Sequence, residues 1–199
     1  NSTNFKTKDF EWKTTFNLSH NTNKVVNLDG DQTEIVSGTQ IHKIGHSYRT
    51  FYMIEFAGIN PENGNPQFYK NDLLEDGSYS KEITEKASEA KSIMLDKHAE
   101  PNITGGLYNS FRYKWFDLSF LFNYQFGGWS YDTWAQKTEH GGYDLEANIP
   151  TYYADSWKKP GDVTKYEQFY EKSSSVAMHK ITNSRRLHST DFLRLKTFT

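Results

Sequence analysis

The sequence predicts an all-β fold, a partial antiparallel transmembrane β-barrel whose long loops all leave from one end. Three observations predict it. Residues 116–126 carry Phe116, Leu118, Phe120, Phe122, Tyr124 and Phe126 at even positions, against Asp117, Ser119, Leu121, Asn123 and Gln125 at odd ones. Successive strand side chains point to opposite faces, so this run has one apolar face and one polar face broken only by Leu121. At roughly 3.4 Å per residue and a tilt of about 40°, such a strand covers about 25 Å of height, the thickness of an outer-membrane apolar band. Strands of soluble domains usually run to about five or six residues. The same pattern recurs elsewhere in the chain, and between its occurrences lie very short turns alternating with two long polar segments, 29–102 and 127–187.

Taken in order, residues 1–6 end a strand and turn at 7–9 into a second, expected over 8–20. That strand sets Phe10, Trp12, Thr14, Phe16 and Leu18 against Glu11, Lys13, Thr15, Asn17 and Ser19. Within the first long segment, 48–56 reads as a strand. Residues 82–98, rich in Glu, Lys and Ala and stopped before Pro101, read as a short helix. A strand over 104–114 places Leu107, Phe111 and Tyr113 opposite Tyr108, Ser110, Arg112 and Lys114. It joins the strand at 116–128 through a tight turn near 113–115, an antiparallel hairpin. The last strand, 190–199, sets Leu193, Leu195 and Thr197 against Arg194 and Lys196. The short turns near Lys8 and Lys114 then share one side and both long segments the other. A barrel with short periplasmic turns and long extracellular loops has this arrangement.

Composition removes several function classes. A net charge of -2 gives no electrostatic footprint for nucleic acid. Mean hydropathy is -0.83, and no run approaches about 18 apolar residues, so transmembrane helices are excluded while an alternating barrel is not. Aromatic residues make up 16%, which suits interfacial girdles. Cysteine is absent, so no disulfide framework or thiol chemistry is available. The chain opens at Asn1 without an initiator Met or signal peptide and stops at Thr199 inside a strand-like pattern. The expectation is an internal piece of a longer chain, all of 1–199 belonging to one C-terminal barrel domain.

Catalytic and metal chemistry find little support. The seven histidines, His20, His42, His46, His98, His140, His179 and His188, form no HxxxH or HExxH helix pattern; His42 and His46 lie four apart in a polar loop. Asp29-Gly30-Asp31 lacks the rest of a calcium loop and reads as a turn. Ser173, Ser174 and Ser175 form a loop tract with no nucleophile context. Glu82 and Glu85 fall on a solvated face of the expected helix. Gly127-Gly128 and Gly141-Gly142 lack the helix a phosphate cradle needs. No catalytic residue, metal or cofactor is assigned.

The aromatics carry more. Tyr113, Trp115 and Phe116 cluster at a short turn and read as an interfacial girdle. Trp129, Tyr131, Trp134, Tyr143 and Trp157 lie in or beside the second long segment. They are the candidate ligand-binding residues, because aromatic rings stack on sugar faces and pack against partners. The competing reading, in which they build the small cores that hold long loops in shape, is preferred but leaves the first open. Glu11, Lys13, Asn17, Arg112, Lys114, Asp117, Asn123 and Gln125 read as inward-facing residues of a barrel.

Six ordered pieces carry a family resemblance: Phe10-Glu-Trp-Lys-Thr-Thr-Phe-Asn-Leu-Ser; Ala57-Gly-Ile-Asn-Pro-Glu-Asn-Gly-Asn-Pro-Gln-Phe-Tyr; Pro101-Asn-Ile-Thr-Gly-Gly-Leu-Tyr-Asn-Ser-Phe-Arg-Tyr-Lys; Phe116-Asp-Leu-Ser with Phe126-Gly-Gly; Trp157-Lys-Lys-Pro-Gly-Asp; and Phe192-Leu-Arg-Leu-Lys. With these the chain resembles the C-terminal barrel of the SusC/RagA family of TonB-linked outer-membrane proteins. The resemblance implies a barrel of about 22 strands around an N-terminal plug. It implies import of oligosaccharides or peptides, a SusD-like lipoprotein over the extracellular mouth, a TonB complex engaged through a part outside this sequence, and a surface facing outer-membrane lipid. It also implies that many inward polar residues contact the plug.

The alternative is a soluble, secreted β-rich carbohydrate-binding module, since sandwich strands also alternate. Strand length, aromatic ends and loops long on one side only favour the barrel. A secreted glycan-degrading enzyme fails for want of convergent catalytic groups.

Overall fold

The computed structural model describes residues 1–142, 146–170 and 181–199. The strands are β1 (Ser2–Lys6), β2 (Phe10–His20), β3 (Glu34–Ser37), β4 (Gln40–Lys43), β5 (Thr50–Ile54), β6 (Phe56–Ile59), β7 (Pro66–Tyr69), β8 (Ile83–Thr84), β9 (Ser92–His98), β10 (Ile103–Tyr113), β11 (Phe116–Phe126), β12 (Trp129–Tyr131), β13 (Leu187–Ser189) and β14 (Phe192–Phe198). One α-helix, α1 (Thr133–Thr138), follows β12.

The long strands form one antiparallel sheet in the order β1-β2-β10-β11-β14. β10 is paired along its whole length on both sides, from Ile103 opposite His20 and Phe126 to Tyr113 opposite Phe10 and Phe116. Directly opposed residues share a face. Phe16, Leu107, Phe122 and Leu195 therefore form one apolar rung, and Trp12, Phe111 and Leu118 another. Phe120 and Phe122 meet edge to face at 5.6 Å, while Leu121 pairs with Tyr108 and Thr197 on the other side. Phe5, Phe16, Leu18, Phe116, Phe126, Leu193, Leu195 and Phe198 all stand exposed. No layer of the described residues covers this apolar face, and bilayer hydrocarbon is the solvent that suits it.

Two bulges keep the outer face apolar to the sheet edges. Leu195 pairs with Phe122 and Thr197 with Leu121, so Lys196 is the extra residue and Phe198 returns to the outer face opposite Phe120. In β1, Asn4 is the extra residue between Thr3 and Phe5. The short turns sit together: Thr7 N–H donates to Phe10 O at 2.7 Å, and Lys114 N–H to Asp9 O at 2.8 Å. Lys114 takes a left-handed φ of 53° in the turn, with its ammonium beside the Tyr113 ring, so it is a turn residue and not the inward strand residue the alternation predicts. The polar face carries an ion-pair chain at this end: Lys6–Glu11 at 3.2 Å, Lys13–Glu11 at 2.8 Å, Arg112–Asp117 at 3.3 Å.

Both long segments leave from the opposite end and fold on each other. Every buried hydrophobic side chain among the described residues lies in them: Ile41, Phe51, Met53, Phe68, Ile93, Ala135, Tyr153 and Leu187. Burial of each Ile, Leu, Met or Phe among them contributes roughly 1.5–3 kcal/mol. Phe51, Met53 and Leu187 form a cluster that joins the two segments, with Leu95, Ala99, Trp129 and Tyr131 packed around it.

The expected helix over 82–98 is absent. The stretch is β8, a 3-10 turn at Ala87–Glu89 and β9. β9 pairs with β5, Ile93 opposite Met53 and Ser92 opposite Ile54, which buries Ile93. That non-local ladder outweighs the helix preference of the Glu, Lys and Ala residues. The single strand expected over 48–56 is two strands, β5 and β6, which break at Glu55 and enter different sheets. The described part of 127–187, read from sequence as loop, holds β12, α1 and two 3-10 turns.

Candidate functional site

The module formed by the two long segments is organised around a clasp. Between β6 and β7 the chain turns through Asn60-Pro-Glu-Asn-Gly-Asn-Pro, with Gly64 N–H donating to Asn60 O at 2.8 Å. Glu85 stands inside this turn and accepts from the side-chain amides of Asn60, Asn63 and Asn65, the last at 2.9 Å. Burial works against the charge on Glu85, but the three amide donors outweigh it and hold its pKa below the ordinary glutamate value. Trp157 closes the clasp from the second long segment. Its indole N–H donates to Pro61 O at 2.8 Å, and its ring lies where any Cβ on Gly64 would stand. Gly161 N–H also donates to Pro61 O, and Gln168 bonds both Gly64 O and Asn65 Oδ1 at 3.0 Å. Two of the six resemblance-bearing pieces, those starting at Ala57 and Trp157, thus bind each other.

Beside the clasp lies a buried ionic cluster. α1 is capped by Asp132, whose side chain accepts from Ala135 N–H at 2.8 Å, and its other end delivers Glu139. Arg185 and Arg186 come from a 3-10 turn capped by Asn183. Arg185 donates to Glu139 at 3.0 Å and to Glu167, and Arg186 lies 3.3 Å from Glu139. Charges this deeply buried persist only when paired. Tyr152 donates its hydroxyl to Glu139 at 3.1 Å. Burial and then the Glu139 charge push its pKa up to about 12. Tyr153 and Tyr170 are pushed up further by burial and by Glu167. The Arg185 guanidinium lies 4.8 Å from the Tyr166 ring centre.

Against this cluster opens a cavity of about 470 Å³, lined by Phe56, Gly58, Glu139, Thr164, Lys165, Tyr166, Arg185, Arg186 and His188. It offers aromatic walls, a neutralised ionic floor and an exposed lysine and histidine. These are binding groups; among the described residues no cluster of three or more His, Cys, Asp or Glu is placed to hold a metal ion.

The sequence-predicted aromatics are scattered about the module, and none of the described ones lines that cavity. Trp129 packs on the Phe51 cluster with the Lys97 ammonium 4.1 Å from its ring. Tyr131 packs there too and donates to Gln136 Oε1 at 3.1 Å. Trp157 is in the clasp. Trp134, on α1, is 72% exposed. Tyr143, His179 and Ser173, Ser174 and Ser175 lie outside the described residues. Alternation could not reveal the cavity residues, which come from four separate stretches of chain. The Arg185-Arg186 pair was the one available signal, and a weak one, since arginines need acid partners only where they are buried. Glu85, read as a solvated helix residue, is the hub of the clasp because the chain there is pulled onto the Asn60 turn. His42 stacks on Tyr48 at 4.7 Å.

An antiparallel sheet of long strands with an apolar face that no described residue covers, an ion-paired polar face and folded loops at one end has the architecture of a segment of an outer-membrane-type β-barrel. No family model matches the chain. It is similar to two curated TonB-dependent receptors of Formosa agariphila, one 25% identical over 94% of this chain and 21% of the receptor, the other 32% identical over 64% of this chain and 14% of the receptor. The solved RagAB peptide transporter matches at a TM-score of 0.79 with 25% identity, covering 98% of this chain and 21% of that one. These likenesses support a fragment of a TonB-dependent receptor of the SusC/RagA type. It spans about a fifth or less of the length of the relatives it matches.

Proposed function

We propose that this chain is the C-terminal part of an outer-membrane importer that draws oligosaccharides or peptides through a barrel with TonB-derived energy. Five strands contribute one wall of the barrel, and the remaining strands and a plug complete it. The folded module of the two long segments stands outside the cell, where a SusD-like lipoprotein docks and the ligand first arrives. The protein is a transporter and not an enzyme. One observation carries this reading: among the described residues no layer covers the apolar face of β2, β10, β11 and β14, and every buried hydrophobic side chain lies in the long segments at one end. A soluble carbohydrate-binding sandwich would bury that face against a second sheet.

Energised uptake by cells carrying the full-length receptor tests it. Uptake of a labelled oligosaccharide or peptide should stop when the proton gradient or TonB is removed. Uptake that persists without them excludes TonB-driven import. Expressed alone, residues 1–199 should require detergent, because the edges of β1 and β14 and the apolar face are open to water. A monodisperse, cooperatively melting monomer in plain buffer would favour the soluble module.

A further inference from the structure

We propose that the receptor selects ligands bearing a carboxylate, through Lys165 and His188 at the cavity and Arg194 and Lys196 on the inner face of β14. The inference rests on the importer reading and adds the charge class of the ligand.

Most basic side chains of the sheet's polar face and of the cavity floor are matched by acids. On the polar face of the sheet, Lys6, Lys13 and Arg112 all meet Glu11 or Asp117. In the cavity floor, Arg185 and Arg186 meet Glu139 and Glu167. By contrast, Lys165 and His188, which line the cavity, and Arg194 and Lys196 on β14 form no ion pair with the described residues. All four are exposed. Arg194 sits opposite Asn123 on the polar face, its guanidinium 5.0 Å from the Phe192 ring centre. Lys196 is the extra residue of the β14 bulge, beside inward Thr197. The carboxylate of this stretch, Asp191, accepts the Gly127 N–H at 2.6 Å.

His188, Arg194 and Lys196 therefore follow one another down a single run of chain, from the cavity into the inner face. With the floor neutralised, the surplus charge at the cavity is positive. Cations lining a concave, partly apolar site focus their field on an anion. Lysine and arginine N–H groups bind carboxylates by short, charge-assisted hydrogen bonds. The Phe56 and Tyr166 rings supply apolar contact for the rest of the ligand. A uronic-acid oligosaccharide and a peptide C-terminus offer the same group.

The test uses the intact receptor in detergent with two probe pairs: oligogalacturonate and its methyl ester, and oligoalanine and its C-terminal amide. In one pair the acid should bind at least about tenfold tighter than its neutral partner, and which pair responds identifies the source. Added salt should shrink the preference. Lys165→Gln with His188→Gln should remove it by lowering affinity for the acid more than for the neutral probe. Lys165→Arg should retain it, and this variant separates charge from folding. Arg194→Gln with Lys196→Gln should lower energised uptake of the acid more than of its neutral partner. Equal binding of acid and neutral probes, or equal loss of both in the variants, overturns the proposal. Acid-selective binding without energy-dependent uptake would keep the charge inference and sink the importer reading.

Discussion

Tyr124 on β11 reaches across Gly105 on β10 and donates its hydroxyl hydrogen to the Asn17 carbonyl of β2, 2.8 Å away. One side chain thereby ties three strands on the outer face. Only glycine permits it, because a Cβ at position 105 would overlap both the Tyr124 ring and the Asn17 carbonyl oxygen. The ring also stacks on Phe16 and lies 5.9 Å from Phe126.

Gly105→Ala should therefore destabilise the barrel by about 1–3 kcal/mol, the usual range for an inserted carbon in a filled site. Tyr124→Phe should cost about 1 kcal/mol, the worth of one hydrogen bond. The contact makes the two positions non-additive: Gly105→Ala with Tyr124→Ala should cost less than the two single changes summed. Urea unfolding of the intact receptor in detergent measures all three. Simple additivity would show that the crossing contributes nothing.

The clasp makes a pH-dependent prediction. The Glu85 pKa is lowered in the folded state from its ordinary 4.5. Its contribution is therefore complete above that ordinary value and is lost as pH falls through the folded pKa. Loop resistance to protease should hold from neutral pH to about 5 and fall away below 4.5. In Glu85→Gln that acid step should disappear, and resistance at pH 7 should drop because an amide replaces the carboxylate facing three amide donors. Gly64→Ala should open the same loops at every pH, since its φ of +73° and the Trp157 ring both disfavour a side chain.

At the other end of the scale stands Tyr152. Its pKa of about 12 exceeds the ordinary 10. A tyrosine that holds its proton more tightly when folded stabilises the fold fully below pH 10, and that contribution is lost as pH rises toward 12. Protease resistance of the loop module should fall over that window, and Tyr152→Phe should flatten the fall. Glu167→Ala should be far more damaging at neutral pH. It strips a partner from buried Arg185, a class of change that costs about 3–5 kcal/mol.

The long strands were legible because each one separates two media, and alternation records that separation residue by residue. Even the bulge at Lys196 is consistent with it, since the extra residue restores Phe198 to the outer face. The interior of the long segments was not legible. Their ladders join residues distant in sequence, such as Ile93 with Met53, and no local period announces such a pairing. The Glu and Lys content of 82–98 pointed to a helix, whereas Lys70–Glu82 and Lys91–Asp72 pairs show those charges stitching strands and turns together. The ligand candidates suffered similarly. Aromatic identity alone cannot separate Trp134, which faces solvent, from Trp157, which closes the clasp.

That separation yields the last prediction. Trp157→Ala removes the bond to Pro61 O and the cover over Gly64, and Tyr131→Ala removes a wall of the Phe51 cluster. Both should lower the amount of folded receptor in the outer membrane and expose the loops to protease. Trp129→Ala should do the same, since it removes both the packing on that cluster and the Lys97 contact. Trp134→Ala removes an exposed ring that has the Lys137 ammonium 5.1 Å from its centre. It should leave the folded amount unchanged. If Trp134 meets ligand or lid, uptake normalised to folded receptor should fall by about fivefold or more, in line with roughly 1–3 kcal/mol for an aromatic stacking contact. Phe120→Ala, on the outer face, should reduce assembly without altering normalised uptake. If none of the loop variants moves normalised uptake, the aromatics serve the module's structure alone, and ligand selection rests with the cavity and the basic residues beneath it.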